Sequence, residues 1–122
     1  MFKGSNVALL TPFKNNKLDE DCYIKLINFH VENGTNGLVP AGTTGESPTL
    51  SHEEHEKVIE LCIKEAKGKI PVIAGTGSNS TTEAVALTKH AEKARMYTRG
   101  PTPRAHFQVS YAPCSSHCGI RD

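Results

Sequence analysis

Gly37-Leu38-Val39-Pro40 runs directly into Ala41-Gly42-Thr43-Thr44-Gly45-Glu46-Ser47, and a few residues later Ser51 and Glu54 open a regular helical pattern. The short, continuous apolar segment suits a strand buried on both faces, whereas the glycines and hydroxyls from Ala41 onward cannot continue one. The stretch therefore reads as a strand with a loop at its C-terminal end. Ser51 three residues before Glu54 is a capping-box pattern. His55, Val58, Ile59, Cys62, Ile63 and Ala66 then recur on one helical face as far as Lys67-Gly68.

The same order repeats on both sides of this unit. Downstream, Pro71-Val72-Ile73-Ala74 reads as a strand and Gly75-Thr76-Gly77-Ser78-Asn79 as the loop beyond it. Ser80 with Glu83 forms a second capping-box pattern, leading a helix through Ala84, Leu87, Thr88 and Ala91 toward Ala94. Upstream, Asn6 to Leu10 is a strand closed by Thr11-Pro12. Tyr23, Leu26, Ile27 and Val31 share one face of a helix that Asp19 can cap and Asn33-Gly34 can end. Three strand-helix units in succession predict an α/β chain with a parallel sheet, because each parallel connection needs a helix-length excursion. A barrel and an open doubly wound sheet both satisfy this order.

From Arg95 to Asp122 the periodicity is lost: Pro101, Pro103 and Pro113 interrupt a stretch with no run of four apolar residues. An irregular tail without a fourth strand is expected, dividing the chain into residues 1–94 and 95–122. Cys114, His117 and Cys118, with His106 upstream, are metal-ligand residue types. The second ligand pair and the hydrophobic pattern of a structural zinc unit are absent, so no metal is expected.

Composition narrows the function further. A formal net charge of +1 with interspersed signs gives no field to draw in nucleic acid or an anionic membrane, and neither partner is expected. No basic segment with a long apolar run opens the chain, and no apolar run approaches the length of a membrane span, so the expected compartment is the cytoplasm. Cys22 and Cys62 fall within apolar helical patterns and are expected as buried thiols rather than parts of a disulfide framework.

Three segments, each at a strand end, together resemble the dihydrodipicolinate synthase family. They are Met1-Phe2-Lys3-Gly4-Ser5 with Thr11-Pro12, then Gly42-Thr43-Thr44-Gly45-Glu46-Ser47, then Ile70-Pro71-Val72-Ile73-Ala74-Gly75-Thr76-Gly77. The intervening His52-Glu53-Glu54-His55 fits as well, and the similarity runs from residue 1 to about 94. Related aldolases acting on sialic acid or sugar acids share the architecture but usually vary the first threonine of Gly-Thr-Thr-Gly-Glu, which favours the synthase.

The resemblance implies that the three units begin a (β/α)8 TIM barrel whose active site lies at the C-terminal ends of the strands. It implies a lyase of the class I aldolase type in lysine biosynthesis, the diaminopimelate pathway. There pyruvate forms a Schiff base with a lysine on a later strand, the resulting enamine attacks L-aspartate 4-semialdehyde, and no cofactor is needed. Thr43 matches a hydroxyl in a proton relay and Thr44 one that contacts the pyruvate carboxylate. A threonine hydroxyl donates and accepts at once, and flanking glycines let the backbone approach a carboxylate closely. Read without the resemblance, Gly-Thr-Thr-Gly is a tight turn.

The resemblance also implies lysine as an inhibitor bound at a subunit interface of a homo-oligomer, with Ser47, His52, His55, Asn79 and Glu83 at the matching positions. Glu83 carries the charge to meet an ammonium group, and the two histidines share a helix face. Taken alone, His52 and His55 read equally as solvated residues of a first helical turn.

The sequence lacks the Schiff-base lysine. Such an amine must be substantially unprotonated, through burial or a neighbouring cation. Lys3, Lys14, Lys17, Lys25, Lys57, Lys64, Lys67, Lys69, Lys89 and Lys93 all lie in polar segments or among charged helical neighbours and are expected to be solvated. The Thr-Pro-Tyr-Tyr stretch of the family's fourth strand has no counterpart, and neither Tyr97 nor Tyr111 takes a role. The expectation is a chain inactive alone. The rival readings are a truncated or frameshifted non-catalytic fragment, or a fragment of a sialate or sugar-acid aldolase.

Overall fold

The computed structural model describes residues 3–97 and 106–108. In chain order the elements are β1 (Asn6–Ala8), β2 (Phe13–Lys14), β3 (Lys17–Leu18), α1 (Glu20–Glu32) and β4 (Gly37–Val39). A 3-10 turn over Ser47–Thr49 follows, then α2 (His52–Ala66), β5 (Ile73–Gly75), α3 (Thr81–Tyr97) and β6 (His106–Gln108). β1 pairs in parallel with β4, Val7 opposite Leu38, and β5 in parallel with β6, Ala74 opposite Phe107. A parallel bridge between Leu38 and Val72 joins the two pairs, supported by the Leu38 N–H donating to the Pro71 carbonyl at 3.0 Å and the Gly75 N–H to the Pro40 carbonyl at 2.9 Å.

Spatial order thus follows chain order, β1-β4-β5-β6, with a helix between each neighbouring pair and α2 packed against both α1 and α3. A doubly wound sheet reverses its strand order partway, whereas a barrel advances in one direction. Of the two architectures the sequence leaves open, the described strands follow the one-way order of a barrel. The buried side chains of Leu9, Leu38, Val72 and Ala74 from the strand segments meet Tyr23, Ile27, Val58, Ile59 and Cys62 from the helices. The Tyr23 hydroxyl lies beside the Cys62 thiol without a hydrogen-bond partner among the described residues, and burial pushes both groups' pKa upward, keeping both protonated.

The helix caps follow the sequence in two cases of three. Asp19 accepts from the Cys22 N–H at 3.0 Å, and Ser51 and Glu54 form a reciprocal capping box with bonds of 3.2 and 3.0 Å. At α3 the pattern is corrected. The Glu83 N–H reaches Ser80 Oγ only at 3.5 Å, and the Glu83 carboxylate turns to Ser78 and His52 instead.

Other expectations are corrected as well. Cys22 is exposed while Cys62 is buried, because α1 buries Tyr23 and Ile27 and Cys22 lies one position off that face. The hairpin of β2 and β3 went unread: Asn15 and Asn16 at its tip have φ of 52° and 59°, the left-handed pair that a two-residue turn needs. α3 continues past Ala94 to Tyr97. Contrary to the expected absence of a fourth strand, His106–Gln108 forms β6 in the proline-free window after Pro103, since pairing with β5 asks for only three residues. The rest of the tail, including Tyr111 and the Cys114, His117 and Cys118 cluster, lies outside the described residues. Among those residues no helix is long and apolar enough to cross a membrane.

Candidate functional site

Two loops at the C-terminal ends of neighbouring strands build the site. Residues 41–47 after β4 pass through two left-handed positions, Ala41 at φ 53° and Glu46 at φ 57°. Three bonds fold the stretch into tight turns: Gly45 N–H to the Gly42 carbonyl at 3.0 Å, Glu46 N–H to Thr43 at 3.1 Å, and Ser47 N–H to Gly42 at 3.3 Å. The buried Thr11 hydroxyl, delivered from the end of β1, donates to the Gly45 carbonyl at 2.7 Å and fastens the turn to the core. A side chain at Gly45 would be tightly confined, since a Cβ would lie 3.1 Å from the Leu9 carbonyl oxygen and 3.2 Å from the Ala41 nitrogen. The second loop, residues 76–79 after β5, is anchored by buried Thr76, whose hydroxyl lies 3.0 Å from that of Thr88 on α3.

Between these loops and the first turns of α2 and α3 opens a cavity of about 480 Å³. Its polar side carries Thr43, Ser47, His52, His55, Ser78, Asn79 and Glu83, and Pro48, Leu50 and Leu87 supply an apolar wall. Six of the seven residues singled out in the sequence therefore converge on one cavity. Thr44 does not line it and, like Thr43, is exposed. The sequence reading missed Ser78 and the apolar wall. A serine within a glycine-rich loop gives no sign of its partner, and Leu50 and Leu87 look like ordinary core positions.

His52 Nε2 lies 3.2 Å from Glu83 Oε1, with the histidine side chain 72% exposed. The other Glu83 oxygen accepts from the Ser78 hydroxyl. Of the two readings the sequence left for His55, the apolar helix face and a solvated first turn, the structure has the first: it is only 4% exposed, and neither ring nitrogen has a hydrogen-bond partner among the described residues. Burial lowers its pKa; the Glu83 and Glu56 carboxylates oppose this less strongly. The cavity thus holds a neutral imidazole, able to accept at one nitrogen and donate at the other, across from a carboxylate. Among the described residues no three His, Cys, Asp or Glu side chains gather as a metal site. All ten lysines are exposed.

The His55 environment has a stability consequence with a definite sign. Its folded pKa lies below the ordinary value of 6.5, so between the two the unfolded chain binds a proton that the folded chain refuses. Stability therefore falls as pH drops through and below that ordinary value. Thermal melts near pH 7 and pH 5 are expected to show a smaller acid loss in His55→Leu than in the wild type. Equal losses would contradict the burial of a neutral ring. The comparison also isolates His55 from His90, which lies 3.4 Å from Glu56 and 3.0 Å from Glu60 and is unchanged by the substitution.

Comparison with known proteins places this geometry. The model of the dihydrodipicolinate synthetase family matches residues 1–98. The 4-hydroxy-tetrahydrodipicolinate synthase of Pelagibacter ubique (strain HTCC1062) is 63% identical over 128 residues, covering 98% of this chain and 43% of that protein. That similarity runs past Ala94, where the helical periodicity ends. The dihydrodipicolinate synthase of Acinetobacter baumannii, solved in complex with pyruvate, is 49% identical with a TM-score of 0.74 over 77% of this chain and 33% of its own. The dihydrodipicolinate synthase of Cyanidioschyzon merolae, solved with lysine bound, is 39% identical with a TM-score of 0.71 over 76% of this chain and 33% of its own. The chain thus spans less than half the length of each of these relatives.

Proposed function

The chain belongs to the dihydrodipicolinate synthetase family, and on that premise we propose that it supplies the threonine half of a pyruvate-condensing active site together with a regulatory cavity for lysine. The reaction is the condensation of pyruvate with L-aspartate 4-semialdehyde through a lysine Schiff base. The observation that carries this reading is the turn of residues 42–47, fastened by Thr11 at the C-terminal end of β4, where barrel enzymes assemble their chemistry. Thr43 passes a proton within the relay that forms and breaks the imine, and Thr44 holds the pyruvate carboxylate. Both side chains are exposed on a rigid turn, free to meet substrate.

The amine must come from elsewhere. A solvated lysine stays protonated near neutral pH and cannot attack a carbonyl, and all ten lysines of this chain are exposed. Residues 1–122 are therefore inactive by themselves. Joining residues 1–98, the span of the family match, to the remaining portion of the Pelagibacter enzyme tests the catalytic reading: the hybrid is expected to condense both substrates. A folded hybrid without activity would count against it. A homo-oligomer in the cytoplasm belongs to the same reading.

The regulatory half rests on the cavity. Glu83 faces an ammonium group, Pro48, Leu50 and Leu87 receive an aliphatic stem, and Ser47, Asn79 and neutral His55 offer hydrogen bonds to the ends of the ligand. Calorimetric titration with L-lysine is expected to show saturable binding that Glu83→Gln weakens by about 10–100-fold, the range for losing a hydrogen bond to a charged group. Unchanged affinity in that variant would remove Glu83 from the site.

A further inference from the structure

Ser80 and Glu83 have the sequence of a capping box, in which the glutamate side chain folds back onto the N–H of the capping serine. That closure does not form here. The Ser80 N–H donates instead to Ser78 Oγ at 3.0 Å, and the Ser78 hydroxyl donates to Glu83 Oε2. The Glu83 N–H still reaches Ser80 Oγ at 3.5 Å, so one hydroxyl takes both ends of the other bond of the box, accepting from its backbone donor and donating to its carboxylate. Glu83, released from its own helix terminus, extends its other oxygen toward His52, 3.2 Å away at the start of α2.

We propose that Ser78 is a positioning residue that diverts Glu83 from the α3 cap into the cavity and so sets the cavity's affinity for a cationic ligand. The chemistry is local. A serine hydroxyl has one proton to give and lone pairs to accept with, and Ser78 uses both on groups that would otherwise bond to each other. Without it, the Ser80 N–H and the Glu83 carboxylate recombine as an ordinary capping box. The helix keeps its cap, His52 loses its partner, and the ammonium-binding oxygen leaves the cavity. The affinity part rests on the reading of the cavity as a lysine site; the diversion of Glu83 does not.

Both parts are testable on the full chain with Ser78→Ala and Ser78→Thr. Ser78→Ala is expected to weaken L-lysine binding about tenfold by calorimetry, in line with one hydrogen bond to a charged group. It should also shift the His52 ring resonances near neutral pH toward their position in Glu83→Gln, with little change in melting temperature. Ser78→Thr, which keeps the hydroxyl, restores affinity and resonances together. In a Glu83→Gln background Ser78→Ala adds no further loss, because its effect passes through that carboxylate. His52 resonances that stay at their wild-type position in Ser78→Ala overturn the proposal, whatever lysine does. If the wild-type chain itself gives no heat with L-lysine, the lysine reading falls while the resonances still decide the role of Ser78.

Discussion

Replacing Thr43 by valine in the hybrid described above is expected to lower kcat by about 10²–10⁴-fold, the range that a positioned proton-transfer group contributes. Valine has nearly the shape of threonine, and the turn around it is held by backbone bonds and by Thr11, none of which uses the Thr43 side chain. Thr43 is exposed, so the substitution leaves no buried group unpaired. The loss should therefore appear in turnover without a change in folding or in the KM for pyruvate. Thr43→Ser, which keeps a hydroxyl, should fall between the two. Thr44→Val is expected to behave differently, raising the pyruvate KM more than it lowers kcat, because a carboxylate contact is made in the ground state as well as the transition state. A Thr43→Val hybrid with unimpaired turnover would take the relay away from this residue.

Gly75→Ala is expected to cost about 3 kcal/mol or more, at the upper end of overpacking penalties, and to lower the melting temperature by roughly 10–20 °C. A Cβ at this position would lie 2.7 Å from the Ala41 carbonyl carbon and 3.0 Å from the Gly42 nitrogen, and closer still to the Ala41 oxygen. These are backbone atoms, unable to rotate aside as a side chain would. Relief must come from moving β5 away from the loop that carries Thr43, which also breaks the 2.9 Å bond from the Gly75 N–H to Pro40. Gly42→Ala serves as the contrast. A Cβ there meets only a Val39 methyl at 3.9 Å, so its melting temperature should stay close to the wild type. Comparable losses in the two variants would show that the close approach at Gly75 is not what limits stability.

Much of this arrangement was legible in the residues because it is local. Asp19 caps α1, Ser51 and Glu54 close their box, and the apolar runs ending at Leu10, Val39 and Ala74 carry the strands. What was not legible depends on space rather than spacing. Periodicity predicts parallel units but not whether the strand order advances or reverses, and that difference separates a barrel from a doubly wound sheet. The resemblance carried by the three loops supplied the barrel, and the strand order agrees with it. The strands β2 and β3 are two residues each, too short for any alternation to register, and β6 has a single apolar residue, Phe107, between His106 and Gln108, so no apolar run marks it.

The site was legible in its membership more than in its bonding. Ser47, His52, His55, Asn79 and Glu83 came from the resemblance and share one cavity. The burial of His55 depends on where α2 docks, and the turning of Glu83 depends on a serine five residues away whose partner no spacing rule names. Capping-box logic pointed Glu83 at Ser80, a correct local rule overridden by a competing local donor.

On the proposed reading, these residues provide hydroxyls and a turn for imine chemistry but no amine to begin it. Incubating the chain with pyruvate and sodium borohydride, which reduces an imine to a stable secondary amine, and then measuring intact mass tests this directly. The expected result is an unchanged mass for the chain alone and one reduced pyruvate added to the hybrid. A reduced pyruvate attached to any of the chain's own ten lysines would contradict the account.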